Sequence, residues 1–312
     1  MESITTAMVG REDEQAELTA FVKSATGRAL VLRGEAGVGK SSLLSHAAAL
    51  AEQEGHVVIR AAGVEAESAL PYAGLHQFLH PLLADATRLD DRSRAVFDAV
   101  LGGGPGDPPS VMTLGIAVLG LLSLSCAQRP PLLVLDDGQW LDDASADVCG
   151  FVGRRLAGSP VKLLVAVRTD ITSRFDTAAL PELPVAALAD EDAARLLDHR
   201  YPDLGRRLRR VVLEQARGNP SALLDLPARA ALRATGIPPR ASTPHPASLT
   251  SQERRIADLA ASGLTNKEIG KRMHLSPRTV GSHLYRTFPK LGITTRAALR
   301  DALSRTEEGA QV

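Results

Sequence analysis

Apolar side chains recur along this chain with two different periods. Residues 29–33 (Ala-Leu-Val-Leu-Arg), 131–135 (Pro-Leu-Leu-Val-Leu) and 161–168 (Val-Lys-Leu-Leu-Val-Ala-Val-Arg) are short, nearly unbroken apolar runs. Such runs predict strands buried on both faces, as in a parallel sheet. The first is followed at residues 42–51 by Ser-Leu-Leu-Ser-His-Ala-Ala-Ala-Leu-Ala, a good helix former. Strands alternating with helices predict an α/β layer architecture over residues 1–184. Beyond that the pattern is helical only. Ala193, Leu196 and Leu197, then Leu208, Val211 and Val212, fall at helical spacing, and residues 185–235 are expected to form a reduced helical lid.

A second helical block fills residues 249–305. Its helix starts are marked twice by a Ser/Thr-x-x-Glu box, Thr250 with Glu253 and Thr265 with Glu268, in which a hydroxyl and a carboxylate satisfy amides left unpaired at a helix start. Ser276 before Pro277 gives a third start, a cap followed by a first-turn proline. Residues 273–275 alone separate the second helix from that cap. Ile256, Leu259 and Ala260, then Ile269 and Met273, then Val280, Leu284, Phe288 and Leu291 supply the apolar faces, and a last helix is expected over residues 295–303. Two short helices with a tight joint, the second with a polar outer face, fit the major groove of DNA.

Other segments change the picture less. Residues 101–109 read as a flexible surface loop. Residues 236–248 hold Pro238, Pro239, Pro244 and Pro246 and read as an extended linker, able to hold domains ~35 Å apart at ~3.1 Å per residue. Residues 110–128 carry no charge and are long enough to span a membrane. They contain Ser, Thr and Gln, lack flanking aromatics and run into the strand at Asp136, so a helix buried beside the sheet is expected, with no membrane partner.

Composition fits two domains: 312 residues, 44% apolar, with no internal repeat to suggest a solenoid. Cys126 and Cys149 lack metal or redox spacing and are expected to be buried free thiols in a reducing compartment. The amino terminus lacks the pattern of an export signal, so a cytoplasmic protein is expected. Charge is more telling. The whole chain is neutral, yet residues 249–300 hold ten Lys/Arg against three Asp/Glu, a net of +7, which leaves −7 for the remainder. A basic tip on an acidic body points to nucleic acid at that end.

The candidate chemistry is concentrated in two places. Residues 34–41, Gly34-Glu35-Ala36-Gly37-Val38-Gly39-Lys40-Ser41, match the phosphate-binding loop G-x-x-x-x-G-K-[ST] and stand between a strand and a helix, with Ser42 next. Glycines let backbone amides wrap phosphates, and the helix start adds partial positive charge. Lys40 is expected on the β and γ phosphates of ATP, and Ser41 on Mg²⁺. Asp136 and Asp137 end the strand at 131–136, where ligands of open α/β sheets bind. Asp136 is assigned to the magnesium ion and Asp137 to the attacking water. Arg168 ends the next strand, either to sense the γ-phosphate or as a structural ion-pair partner. Trp140 reads as a packing residue.

In the carboxy-terminal block, inward-facing Val280, Leu284 and Phe288 turn Arg278, Gly281, Ser282, Tyr285 and Arg286 outward as candidate DNA contacts. Arg286, Tyr285 and Ser282 are assigned to base edges, with Gly281 allowing close approach. Thr265, Lys267, Arg278, Thr279 and Lys290 are assigned to phosphates.

From residue 249 to 299 the sequence resembles the LuxR-type helix-turn-helix domain, through Leu-Thr-x-x-Glu-Arg, Gly-Leu-Thr-Asn-Lys-Glu-Ile, Leu-Ser-Pro-Arg-Thr-Val, His283 and Lys-Leu-Gly-Ile. The resemblance implies a four-helix unit whose third helix reads DNA and whose fourth supports pairing. Many members carry lysine where this chain has Gly281, and Gly270 replaces a common alanine. Toward the amino terminus, Val9-Gly-Arg-Glu12, the phosphate loop, Leu-Asp-Asp-Gly-Gln-Trp-Leu-Asp142, Val-Arg168 and Gly218-Asn-Pro220 resemble the ATPase module of the large ATP-binding LuxR-type regulators, signal-transducing ATPases of the STAND group related to AAA+ proteins. On that basis Arg11 is expected near the adenine and Pro220 in the lid. The long helical-repeat sensor usual in those relatives has no counterpart between residues 221 and 248.

Together these readings predict an α/β P-loop NTPase with a small helical lid, followed by an all-α helix-turn-helix domain. The expected function is an ATP- and Mg²⁺-binding, sequence-specific transcriptional regulator whose nucleotide state controls DNA binding or assembly, with ATP either hydrolysed slowly as a switch or merely held. Its expected partners are double-stranded DNA, ATP/ADP, RNA polymerase and further copies of itself. The rival readings are a signalling ATPase whose helix-turn-helix is a protein-docking module, and a regulator that binds DNA constitutively.

Overall fold

Alternation along the strands decides which face each side chain serves. The computed structural model describes residues 8–101, 108–125, 129–234, 251–273, 280, 281, 284, 287, 288, 291, 293, 296–300, 302 and 303. Strands β1 (Arg28–Gly34), β2 (Val57–Ala62), β3 (Pro131–Asp136), β4 (Lys162–Arg168) and β5 (Glu182–Pro184) form one sheet in the order β2-β3-β4-β1-β5, every pairing parallel. Ala29, Val31, Leu133, Leu135, Leu163, Val165 and Val167 enter the core on one face. Their neighbours Leu30, Leu32, Leu132, Val134, Leu164 and Ala166 enter the core on the other. Both faces are therefore apolar, which is why these strands read as unbroken runs.

Helices cover both faces. α1 (Glu12–Lys23) and α2 (Lys40–Gln53) bury Leu18, Phe21, Leu43, Leu44 and Ala47 against one. α3 (Ala73–Leu79), α4 (Asp91–Leu101), α5 (Val111–Ser125) and α6 (Asp143–Gly153) pack on the other. The uncharged stretch is thus a helix beside the sheet, with Leu114, Leu121 and Leu122 buried. Among the described residues no helix is long and apolar enough to cross a membrane. β2 and β5 were not predicted. β2 is a half-exposed edge strand carrying Arg60, and β5 is only three residues ending in a proline, so neither shows an apolar run.

β4 lies between β1 and β3, with Gly34 paired to Arg168 and Leu135 to Val165. This order brings the ends of three strands, Gly34, Asp136 and Arg168, to the carboxyl edge of the sheet, where open α/β sheets bind ligands. α7 (Asp190–Arg200), α8 (Arg206–Ala216) and α9 (Pro220–Ala234) follow, around a small core of Leu188, Ala193, Leu197, Val212, Ala216 and Leu223.

The chain divides into two units, residues 1–228 and 229–312. In the second, α10 (Ser251–Ala261) and α11 (Asn266–Met273) are followed by helical backbone at Val280, Gly281, Leu284, Thr287 and Phe288 and a 3₁₀ turn, Arg296–Ala298. Ile256, Ala260, Ile269, Val280, Leu284 and Leu299 are buried together, with Leu259, Phe288 and Leu291 packed beside them, as the helical spacing predicts. The predicted linker, the cap at Ser276 and Pro277, and Cys126 lie outside the described residues. Cys149 is a buried free thiol, and burial pushes its pKa up to about 12.

Candidate functional site

The phosphate-loop sequence folds into a turn whose carbonyls all find donors. Gly34 O accepts from Lys40 Nζ at 2.8 Å and from Thr169 N at 3.3 Å, and Glu35 O accepts from Lys40 Nζ at 2.7 Å. Ala36 O accepts from Asn219 Nδ2 at 2.8 Å, Gly37 O from Ser221 N at 3.1 Å, and Val38 O from Arg11 Nη2 at 2.8 Å. Five consecutive carbonyls are held this way. The amides of residues 35–39 have no protein acceptor among the described residues. A run of donors with no acceptor is a concavity for an anion. The loop therefore fits the phosphates that its sequence predicts.

Two of the loop's glycines stand where a side chain would collide. A Cβ on Gly34 would stand 2.3 Å from Val185 O. Gly37 has φ +79° and a Cβ there would meet Ser221 Cβ at 2.7 Å. Lys40 is buried, and burial lowers its pKa from the ordinary lysine value against the opposing charges of Asp137 and Asp136. Ser41 and Ser42 are exposed at the start of α2.

Arg11 is 6% exposed, ion-paired with Glu14 at 2.7 Å, and also donates to Ala186 O at 2.6 Å. It ties the loop to the chain beyond β5. Pro220 is the first residue of α9, but the contacts with the loop come from its neighbours Asn219 and Ser221. Gly218, with φ +74°, exchanges backbone contact with Leu188, whose amide donates to Gly218 O at 2.8 Å.

At the end of β3, Asp136 Oδ1 accepts the amide of Asp137 at 2.9 Å, and Asp137 adopts a left-handed backbone, φ 49°. Gln139 is buried between the two acidic and basic strand ends. Its Nε2 donates to Asp137 Oδ1 at 2.9 Å, and its Oε1 accepts from Arg168 N at 3.1 Å. Arg168 itself forms a two-point pair with Asp170, Nε to Oδ1 at 2.9 Å and Nη2 to Oδ2 at 2.5 Å. The pair raises the arginine pKa and lowers that of Asp170. Trp140, partly exposed, closes the 3₁₀ turn Gly138–Trp140. Asp142, 3% exposed, caps α6 through Ser145 N and accepts Tyr72 N at 2.7 Å and Gly74 N at 3.0 Å. Gln139, Asp142, Asp170 and Asn219 carry the wiring around the site. None was assigned a role in the sequence analysis, although all but Asp170 lie in motifs quoted there.

In the second unit the Thr265–Glu268 box forms, with Thr265 N and Oγ1 each 2.7 Å from Glu268 Oε2 and Glu268 N 3.3 Å from Thr265 Oγ1. Arg296 clamps the start of α11, donating to Asn266 Oδ1 at 2.6 Å and to Leu264 O. Gly281 is half-buried, and a Cβ on it would stand 3.4 Å from Asn266 Nδ2. Lys267 lies on α11. Its side chain lies outside the described residues, as do Arg278, Thr279, Ser282, Tyr285, Arg286 and Lys290.

Comparison with known families extends these observations. The pattern described as "AAA ATPase domain" matches residues 7–166, just over half of the chain. This chain belongs to the AAA ATPase domain family. The pattern described as "Bacterial regulatory proteins, luxR family" matches residues 247–302, so a LuxR-family regulatory domain follows the ATPase module. An HTH-type transcriptional regulator of Mycobacterium bovis is 47% identical over 58 residues, 19% of this chain and 7% of that protein. The DNA-binding transcriptional activator DevR/DosR of Mycobacterium tuberculosis is 41% identical over 93 residues, 30% of this chain and 42% of that protein. The chain thus spans less than half the length of either relative. Among solved structures, the ORC1 protein of Aeropyrum pernix in complex with DNA is similar at 17% identity, over 97% of this chain and 94% of that one, with a TM-score of 0.44.

Proposed function

We propose that this chain is an ATP-binding, sequence-specific DNA-binding transcriptional regulator whose nucleotide state controls DNA binding or assembly. The observation that carries this reading is the phosphate loop, in which the carbonyls of residues 34–38 are all engaged and the amides of residues 35–39 have no protein acceptor among the described residues, in one chain with a LuxR-family domain. The amides of residues 35–39 and the Lys40 ammonium would hold the β and γ phosphates, and Ser41 and Asp136 the magnesium ion. A bound Mg·ATP supplies a phosphoanhydride bond and a charge that differs between triphosphate and diphosphate. Asp137, which accepts a hydrogen bond from Gln139 Nε2, would act on the attacking water molecule. Slow hydrolysis would then reset the switch.

In the second unit, Arg278, Gly281, Ser282, Tyr285 and Arg286, which helical spacing sets opposite Val280, Leu284 and Phe288, would enter the major groove. Thr265, Lys267, Thr279 and Lys290 would engage phosphates. Nucleotide acts as a differential-affinity ligand, favouring one arrangement over another. A homo-oligomer contacting RNA polymerase in the cytoplasm completes the proposal. Genome-wide mapping of bound fragments with wild type and Lys40→Ala side by side tests it. Discrete fragments recovered with wild type and altered by the variant are expected, whereas the absence of any enriched fragment would refute the regulator reading.

A further inference from the structure

Asp170 has no place in the chemistry described so far, yet it occupies the most exposed cation of the site. β4 puts Arg168 in register with Gly34, the first residue of the phosphate loop. Thr169 N then donates to Gly34 O, the same carbonyl that accepts Lys40 Nζ. Asp170 follows one residue beyond this shared anchor. From there it takes the Nε and Nη2 edge of Arg168 with both carboxylate oxygens, at 2.9 and 2.5 Å.

The edge it takes is a two-point edge of the kind that also binds phosphate. A guanidinium fork matches a carboxylate or a phosphate in the same two-point geometry, and one edge holds one of them at a time. The pair is also open to water, the two side chains being 30% and 53% exposed. Such pairs contribute little to fold stability, so this one exchanges partners at small cost. Lys40 and Asp170 each lie within the other's electrostatic reach, which keeps the pair next to the phosphate loop.

We propose that Asp170 is a nucleotide-discriminating positioning residue, whose carboxylate holds Arg168 until the terminal phosphate of a nucleoside triphosphate takes its place. The inference rests on reading the loop as a nucleoside triphosphate site. A diphosphate lacks the group that competes, so Arg168 stays on Asp170. A triphosphate that takes the Nε and Nη2 edge displaces Asp170, and its affinity is lowered by that competition. The carboxylate thereby sets how far ATP is preferred over ADP.

Equilibrium titration of the full chain with fluorescent mant-ATP and mant-ADP, in magnesium, tests this. Asp170→Ala is expected to tighten mant-ATP by up to ~5-fold, the range open to an exposed ion pair, and to leave mant-ADP unchanged. Asp170→Asn, which keeps the shape and loses the charge, moves the same way, and Asp170→Glu keeps the wild-type ratio. In an Arg168→Ala background the change at Asp170 no longer separates the two nucleotides. An unchanged ATP/ADP ratio in Asp170→Ala and Asp170→Asn, or weaker ATP binding in both, overturns the inference while leaving the nucleotide site intact. A wild-type chain that binds neither probe removes the nucleotide reading itself, and this inference with it.

Discussion

Asn219 donates its side-chain amide to the carbonyl oxygen of Ala36 across 2.8 Å, joining residues 183 positions apart. With Ser221 N on Gly37 O at 3.1 Å, it makes the start of α9 part of the phosphate loop's support. The loop geometry therefore depends on a segment that sequence order places far away.

Asn219→Ala should separate binding from stability. The bond is exposed, so its loss should cost no more than ~1 kcal/mol of unfolding free energy. Nucleotide affinity should fall several-fold, because the Ala36 carbonyl is then free to rotate and the amide array loosens. Paired thermal melts and mant-ATP titrations check this. A melting loss with unchanged affinity would show that the contact is only structural. Gly37→Ala should be harsher, by ~1–3 kcal/mol, since φ +79° and the 2.7 Å approach to Ser221 Cβ both disfavour a side chain.

Asp142 should matter more to stability than to chemistry. It is buried and accepts three backbone amides, from Tyr72, Gly74 and Ser145. Asp142→Ala strands these donors in the core and should cost ~2–4 kcal/mol in urea unfolding of the first unit. A loss under about 1 kcal/mol would mean that water replaces the carboxylate there.

Acid should destabilise the protein through one buried and one half-buried histidine. Burial lowers the pKa of His56 below the ordinary 6.5, aided by the charge of Lys162, and burial beside His80 lowers that of His76. A folded-state value below the unfolded one means that the unfolded chain takes up protons first. Stability is thus fully present above about pH 6.5 and falls as pH drops through and below it. The urea midpoint should fall between pH 7.5 and 5.5, and His56→Asn with His76→Gln should flatten that slope. An equal slope in the double variant would assign the effect to other groups.

Two substitutions separate reading from gripping in the second unit. Arg286→Ala should relax sequence preference, at ~1–3 kcal/mol if the guanidinium contacts a base in two-point fashion. Lys267→Ala should weaken all duplexes alike and shallow the salt dependence. Competition binding with matched and scrambled duplexes measures both. Uniform weakening by Arg286→Ala would reassign that residue to phosphate.

Local signals in the sequence located the strong elements and missed the long-range ones. The phosphate loop, the strand ending at Asp136 and the strand ending at Arg168 are legible because each is a contiguous apolar run with chemistry at its end. The Thr265–Glu268 box is legible because both partners lie within one turn. β2 and β5 are not, since an edge strand needs only half its residues apolar and a three-residue strand has no period. The roles of Asn219 and Asp142 come from contacts across 183 and about 70 positions, which no spacing rule encodes. The Arg168–Asp170 pair is short in sequence, but only the paired strand ends show that it stands beside Gly34.

The central claim, that nucleotide at the loop controls DNA binding at the other end of the chain, is tested most directly by salt-titrated binding of a labelled duplex with ATP, ADP or no nucleotide. Wild type should bind with an affinity that falls linearly in log salt, and ATP and ADP should differ by ~5- to 150-fold, the usual range for coupled sites. Lys40→Ala should abolish that difference. Identical affinities in all three nucleotide conditions, with wild type and Lys40→Ala indistinguishable, would contradict the account.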